Sequence, residues 1–397
     1  MKGKMLGGIL LIVGTTIGGG MLALPVVTAQ SGVLGAIGLL ITSWMLMTFC
    51  AYLVLEVNLW MPKNSNIIMM AKKTLGLKGE IISWICYLLL FYCLLAAYIA
   101  GGTDILQGLL TAAGLSIPIK LDYVVFTGVL GAIVYHGIRT IDYANRALMF
   151  VKLTAFILLV LCIAPFVDVH RYVAVDMHYI VPAITVVITS YGFSTIIPSL
   201  RVYFNDDVAR LRKVIFIGSF IPLLCYIAWI LVILGGIPFT GEHGMLSVVQ
   251  SDHSTLALSE ALIYHINNTG TTTLTRIFTS VCVLTSFLNV SLCVVDFLAD
   301  GLRMEKIGWQ KVLLHVATFL PPLVIAMLYP TAFIVGLSYA GICLAILIIM
   351  LPALMVWKGR YIMQIKADYR VVGGKLPLVI AILVAVFIIV QGLFWRT

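Results

Sequence analysis

Three consecutive glycines, Gly18, Gly19 and Gly20, stand in the middle of Gly-Thr-Thr-Ile-Gly-Gly-Gly-Met-Leu-Ala-Leu-Pro (14–25), inside an apolar run long enough to cross a bilayer. Each weakens a helix by roughly 1 kcal/mol relative to alanine, so the triplet reads as a break placed just after Thr15, Thr16 and Ile17. Broken backbone inside lipid must face protein or a cavity, because its polar groups cannot go unpaired. The amide N–H groups that open the second half-helix suit a carboxylate, through hydrogen bonds and the helix dipole. The carbonyls that end the first half suit an ammonium group. A second stretch, Thr189-Ser190-Tyr191-Gly192-Phe193-Ser194-Thr195 with Pro198 beyond, again mixes glycine and small polar residues in apolar surroundings. It would free further carbonyls near Ser190 and Gly192. No Arg or Asp stands at either break, so backbone dipoles must do the pairing. The ligand that fits is an amino-acid zwitterion, with its side chain left to a separate pocket.

The elements that carry these breaks follow from composition. The chain of 397 residues is 62% hydrophobic and 10% charged, far from the roughly 25% charged content of a soluble domain. It reads as an all-α polytopic membrane protein. Runs of the length that spans about 30 Å of hydrocarbon recur near 5–29, 33–59, 81–110, 122–138, 145–167, 178–199, 214–237, 275–301, 312–328, 332–357 and 376–395, which predicts eleven transmembrane helices. Lys2 and Lys4 before the first run, with Val27-Thr28-Ala29 after it, give it some likeness to a cleaved leader. The run is too long for a leader core and is interrupted by glycines, so a retained helix is expected.

Alternating loops sort the 25 Lys and Arg residues to one side, except Lys120, Arg171, Arg276 and Arg396. By the positive-inside rule the N-terminus is cytoplasmic and the C-terminus is on the far, periplasmic side. The net charge of +9 is spread through short loops that meet anionic lipid headgroups, and it forms no stripe for nucleic acid. The eight cysteines lie inside the spans without a C-x-x-C pair, so they read as small buried residues and not as a metal or disulfide framework. A polytopic enzyme, channel or sensor is the rival class. It would need a zinc motif, facing aspartates, a Ser-His couple or a continuous polar stripe, and none is evident.

Spans 1 and 6, which carry the breaks, are five spans apart, an odd number, so the two halves would lie inverted in the membrane. Interrupted helices at corresponding places in inverted halves point to the binding site of a secondary transporter. Small-residue faces also serve plain helix packing, and either break alone would be open to that reading.

Several motifs together carry a family resemblance: Gly14–Pro25, Ala96-Ala-Tyr-Ile-Ala-Gly-Gly102, Thr189-Ser-Tyr-Gly-Phe193 with Ile197-Pro-Ser199, and Thr285-Ser-Phe-Leu with Asp296-Phe-Leu-Ala-Asp300. They resemble the bacterial hydroxy/aromatic amino-acid permease family of the amino acid-polyamine-organocation superfamily, over all eleven spans in order. The resemblance implies a LeuT-like fold in a single transmembrane domain. Two inverted five-helix repeats, about 5–167 and 178–357, are joined by an eleventh helix at about 376–395, and helices 1 and 6 are discontinuous. It also implies residence in the bacterial inner membrane, no cofactor, no obligate protein partner, and proton-driven uptake of an aromatic amino acid. Tyrosine is the first candidate, with tryptophan or serine/threonine as runners-up. Two positions depart from the family's common pattern: Ser194 where His is usual, and Asn289 where Gly is usual.

In such a fold Tyr98, Phe193, Ser194, Phe287 and Asn289 would form the side-chain pocket, aromatic walls with a few polar contacts. The competing reading is ordinary packing, since the chain is 11% aromatic. Lys152, several residues into span 5, is the chief candidate for coupling. An amine there could take up and release a proton during a transport cycle, or it could snorkel to the cytoplasmic surface. In the resembling family a span 5 lysine occupies the space where sodium-coupled relatives hold an ion. Thr285 and Ser286 match the hydroxyl pair of that ion site, which keeps sodium as the alternative to a proton. Asp296 and Asp300 read as a cytoplasmic gate or a solvated helix end, and Glu56 and Asp104 as structural partners. The long loop 238–275 has helical apolar spacing over 247–266 and reads as an external lid.

Overall fold

The apolar runs become helices, and no strand occurs among the described residues. The computed structural model describes residues 2–394 apart from 64, 113, 116, 117, 137, 173–175, 267 and 330. Arg396 and the end of the last expected span at 395 lie outside the described residues.

The first run divides into α1 (Lys2–Thr16) and α2 (Gly20–Thr28), and a 3-10 turn at Ala29–Ser31 leads into α3 (Gly32–Leu59). A short amphipathic α4 (Ile67–Leu75) precedes α5 (Leu77–Ala112), α6 (Ile119–His136) and α7 (Ile138–Ile163). The second break separates α8 (Ile180–Thr189) from α9 (Ile197–Tyr203). After it come α10 (Val208–Gly236), α11 (Met245–Gln250), α12 (Ser254–Ile266), α13 (Thr269–Leu302) and α14 (Gly308–Leu328). The helix α15 (Ala332–Leu344) continues through a π-helical stretch, Ala345–Met350, into α16 (Leu351–Trp357), and α17 (Leu376–Phe394) follows.

Ten helical stretches among the described residues are long and apolar enough to cross a membrane, against the eleven expected. The difference lies in the first run. Its apolar helix before the break is only Lys4–Thr16, and α2 is 9 residues long, so neither piece alone has the roughly 20 residues a span requires. The break itself is the cause.

The core is built by α5 on α15, α7 on α13, and α10 on both α1 and α3, with α8 against α2, α3 and α15. Close crossings use small residues: a Cβ on Gly341 of α15 would lie 2.1 Å from the Thr185 carbonyl of α8, the small-residue contact that lets membrane helices approach. Glu56 of α3 is fully buried and meets Arg360 at 2.6 and 2.5 Å, while it also accepts the Val371 N–H at 2.7 Å. This carboxylate is a structural clamp between α3 and the chain that follows α16, with its buried charge fully paired. The segment expected as one helix over 247–266 forms two, α11 and α12, separated at Ser251. They pack on α2, and α12 also on α13, so the α2 half of the broken helix is enclosed: Met21, Leu22 and Leu24 are buried, whereas Leu6, Leu10 and Leu11 of α1 are exposed.

Candidate functional site

At the first break the helical hydrogen-bond ladder skips a step. The Thr15 and Thr16 hydroxyls turn back onto α1, with Thr16 Oγ1 donating to Ile12 O at 2.6 Å and Thr15 Oγ1 to Leu11 O at 3.0 Å, a local bond that competes with regular backbone pairing. The Met21 and Leu22 N–H groups donate to Gly18 O and Gly19 O, at 3.0 and 3.1 Å, three residues back instead of four. The Ile17 carbonyl that Met21 would have satisfied is thereby released. Lys152 of α7 takes it: Nζ donates to Ile17 O at 2.5 Å. The Thr16 carbonyl accepts from the Tyr226 hydroxyl of α10 at 2.7 Å.

The glycine triplet serves close approach more than unusual backbone torsion, since Gly19 sits at φ −56°, ψ −31°. A Cβ on Gly18 would lie 2.5 Å from Ser286 Oγ, one on Gly19 2.6 Å from Tyr98 Cε1, and one on Gly20 2.9 Å from Ser190 Oγ. Three surfaces therefore touch the break directly: α13, α5 and the second break. The Gly19 N–H, the amide expected to meet a carboxylate, donates to Ser286 Oγ at 2.8 Å.

At the second break α8 ends in a tight turn, with Tyr191 N–H donating to Ile188 O at 2.9 Å. The Ser190 carbonyl points out of the ladder and lies 2.9 Å from the same Tyr226 hydroxyl that holds Thr16. One side chain thus bridges both breaks, and the Tyr191 ring packs edge-on against it at 5.3 Å. Phe193 is fully buried, and Gly192 faces Leu344. The hydroxyls of Tyr191 and Ser194 are buried with no hydrogen-bond partner among the described residues, a cost of about 1–3 kcal/mol each when a polar group stays unsatisfied.

Lys152 is 1% exposed, so its amine lies at the break and does not snorkel. Thr285 Oγ1 is 3.4 Å from that amine and donates to Val281 O at 2.8 Å. Thr285 and Ser286, adjacent on α13, therefore face Lys152 and Gly19 respectively. The expected aromatic pocket is gathered only in part. Tyr98 lies against Gly19, but Phe287 packs its ring against Phe126 and Phe319, at 5.6 and 5.7 Å. Asn289 is exposed, one turn along α13 from Ser286. Helical geometry explains the split, because Phe287 is turned by about 100° from Ser286 around the helix axis.

Two further charges find partners. Asp104 of α5 meets His253, in the turn between α11 and α12, at 2.7 Å, and Asp296 meets Lys306 at 2.5 Å. Tyr226 is the residue that sequence reasoning missed. Its only signal was a phenol placed midway along an otherwise apolar span.

These features define a polytopic helical membrane protein in which two broken helices are joined through a buried polar cluster. Residues 1–392 match the tryptophan/tyrosine permease family, and the chain belongs to that family: it is a permease and not an enzyme. It is 35% identical to the tyrosine-specific transport system 2 of Haemophilus influenzae, covering 98% of this chain and 96% of that protein. It is 33% identical to the tyrosine-specific transport system 1 of the same organism, over 97% and 95% of the two chains. Its identity to a tryptophan-specific transport protein of Haemophilus influenzae is 31%, over 98% and 95%.

Proposed function

We propose that the chain is a secondary active transporter that imports an aromatic amino acid, tyrosine first, by proton symport with alternating access. The observation that carries this reading is the convergence of both breaks on one cluster: Thr16 O and Ser190 O on the Tyr226 hydroxyl, Ile17 O on Lys152, and the Gly19 N–H on Ser286. Backbone donors and acceptors freed from helices in the membrane interior are the groups that would exchange these side-chain partners for a substrate carboxylate and ammonium. The unpartnered hydroxyls of Tyr191 and Ser194 would gain partners when a polar solute enters.

The architecture we infer is LeuT-like. Helices α1 and α2 form the first membrane helix, α8 and α9 the sixth, the halves on either side are inverted repeats, and α17 is the eleventh. The N-terminus is cytoplasmic, and α11 and α12 act as an external lid over α2. The buried α2 and the exposed α1 support an arrangement closed on the lid side. The names of the relatives, two tyrosine-specific at 35% and 33% and one tryptophan-specific at 31%, support tyrosine ahead of tryptophan.

Protons are favoured over sodium because the Lys152 amine already lies against Ile17 O and Thr285 Oγ1, filling a position a cation would need. One charge crossing 100 mV releases about 2.3 kcal/mol, enough for roughly fifty-fold accumulation. The test is uptake of labelled tyrosine into proteoliposomes, with and without sodium and a pH gradient, in competition with each of the twenty amino acids. Uptake that requires the pH gradient and is competed best by tyrosine supports the proposal. Sodium-dependent uptake, or none, refutes it.

A further inference from the structure

Two clefts meet on the flank of the bundle formed by α5, α6, α12 and α13, away from the broken helices. The larger, about 250 Å³, is walled by Gly102, Leu106, Val125, Phe126, Val129 and Val283, and is almost wholly apolar. Its rim faces outward: Leu109, Val125 and Val129 are 41%, 41% and 57% exposed. The smaller, about 70 Å³, lies where α12 crosses α5 and α13 and is polar at one end, with Ser259, Glu260, Arg276 and Thr279 in its wall. Ile105 and Leu109 of α5 line both, so the two clefts adjoin across these side chains and together make a trough that is apolar over most of its lining and charged at one end.

Arg276 and Glu260 share the charged end without forming a salt bridge to each other or to any other described residue. Two opposite charges facing one space, each lacking a partner, complement a ligand that carries both signs. Arginine matches a phosphate with paired N–H donors, and a carboxylate matches an ammonium. The apolar part presents almost no polar surface, so hydrocarbon is its natural filling. We propose that this trough binds a phospholipid with a zwitterionic headgroup: phosphate on Arg276, ammonium on Glu260, and one acyl chain along Val125, Val129 and Leu106. A free amino acid would satisfy the charges but leave the long apolar part exposed. An anionic lipid would satisfy Arg276 but meet Glu260 with repulsion.

The trough adjoins the transport machinery. Its wall residue Phe126 packs edge-on against Phe287 at 5.6 Å, next in sequence to Ser286, and α5 carries both Leu106 in the trough and Tyr98 at Gly19. A bound acyl chain would brace α5, α6 and α13 against one another.

The experiment uses the full chain purified in detergent and stripped of lipid, with its melting temperature followed as lipid is added. The additions are phosphatidylethanolamine, phosphatidylglycerol with the same acyl chains, and tail-less glycerophosphoethanolamine. Phosphatidylethanolamine should stabilise at the lowest concentration, and the tail-less compound should have no effect. Arg276→Gln and Glu260→Gln should each weaken the phosphatidylethanolamine response about threefold or more. Glu260→Lys should reverse the preference toward phosphatidylglycerol. Val129→Trp, at an exposed position, should weaken both lipids by filling the trough. Equal responses to the two lipids, a full response to the tail-less compound, or an unchanged response in both Arg276→Gln and Val129→Trp would overturn the proposal. None of these outcomes depends on which solute is transported.

Discussion

The backbone N–H of Gly19 donates to the hydroxyl of Ser286 at 2.8 Å, joining the break in the first helix to the middle of α13. In the proposed function a substrate carboxylate takes the place of this hydroxyl as the acceptor of that amide. Replacing Ser286 with Ala leaves a buried amide without a partner, a cost of about 1–3 kcal/mol. A lower melting temperature is expected for Ser286→Ala without substrate, and tyrosine should raise it by more than it raises that of the unchanged protein, because the ligand restores the missing acceptor. Equal ligand-induced shifts in the two proteins would show that Gly19 does not meet the carboxylate.

Tyr226 reaches Thr16 O at 2.7 Å and Ser190 O at 2.9 Å. Tyr226→Phe removes this bridge while keeping the ring that packs on Tyr191. Because the substrate ammonium is proposed to displace Tyr226 from these carbonyls, loss of a competing hydrogen bond of about 1–1.5 kcal/mol should raise tyrosine affinity by up to roughly tenfold. Equilibrium binding to the purified variant checks this, and unchanged affinity would separate Tyr226 from the site.

Lys152 is held against Ile17 O and beside Thr285. In Lys152→Ala, uphill uptake driven by a pH gradient should be lost while tyrosine exchange across the membrane is partly preserved, because exchange needs substrate binding but no net proton movement. Normal concentrative uptake in proteoliposomes would remove Lys152 from the coupling mechanism.

The His253–Asp104 contact, 2.7 Å, ties the turn between α11 and α12 to α5. The Asp104 hydrogen bond raises the His253 pKa above its ordinary 6.5. The protonated, paired histidine therefore favours the fold. Its contribution is complete below 6.5 and is lost as pH rises through the raised folded-state value. The difference in melting temperature between the unchanged protein and His253→Gln should be largest in mildly acidic buffer and shrink toward alkaline pH. A difference independent of pH would show that the contact carries no charge.

Much of this arrangement was legible in the sequence because glycine and apolar length are local signals. The triplet at 18–20 marked the first break, and Ser190 to Thr195 marked the second, since such clusters at matching places in two spans weaken a helix more than packing alone requires. Lys152 stood out because a charge in an apolar run is costly. Which backbone group each partner takes was not legible. Ser286 stood out only as half of a hydroxyl pair through the family resemblance, and Tyr226 not at all; they lie 267 and 210 residues from the groups they bind, and a hydroxyl has no sequence pattern that reports which helix it faces. Phe287 shows the same limit from the other side: its aromatic character suggested the pocket, but its angular position on α13 turns it to Phe126 and Phe319. The count of spans fell from eleven to ten because hydropathy does not register that unwinding at Ile17 divides one apolar run into two short helices.

The proposed recognition of a zwitterion by two unwound helix ends requires both of its charges. Competition against labelled tyrosine by tyramine, which lacks the carboxylate, and by 3-(4-hydroxyphenyl)propionate, which lacks the ammonium, measures that requirement directly. Each analogue should compete at least about a hundredfold more weakly than tyrosine, since its loss leaves buried backbone groups unpaired. Competition by either analogue at concentrations close to those of tyrosine would contradict recognition by the two breaks.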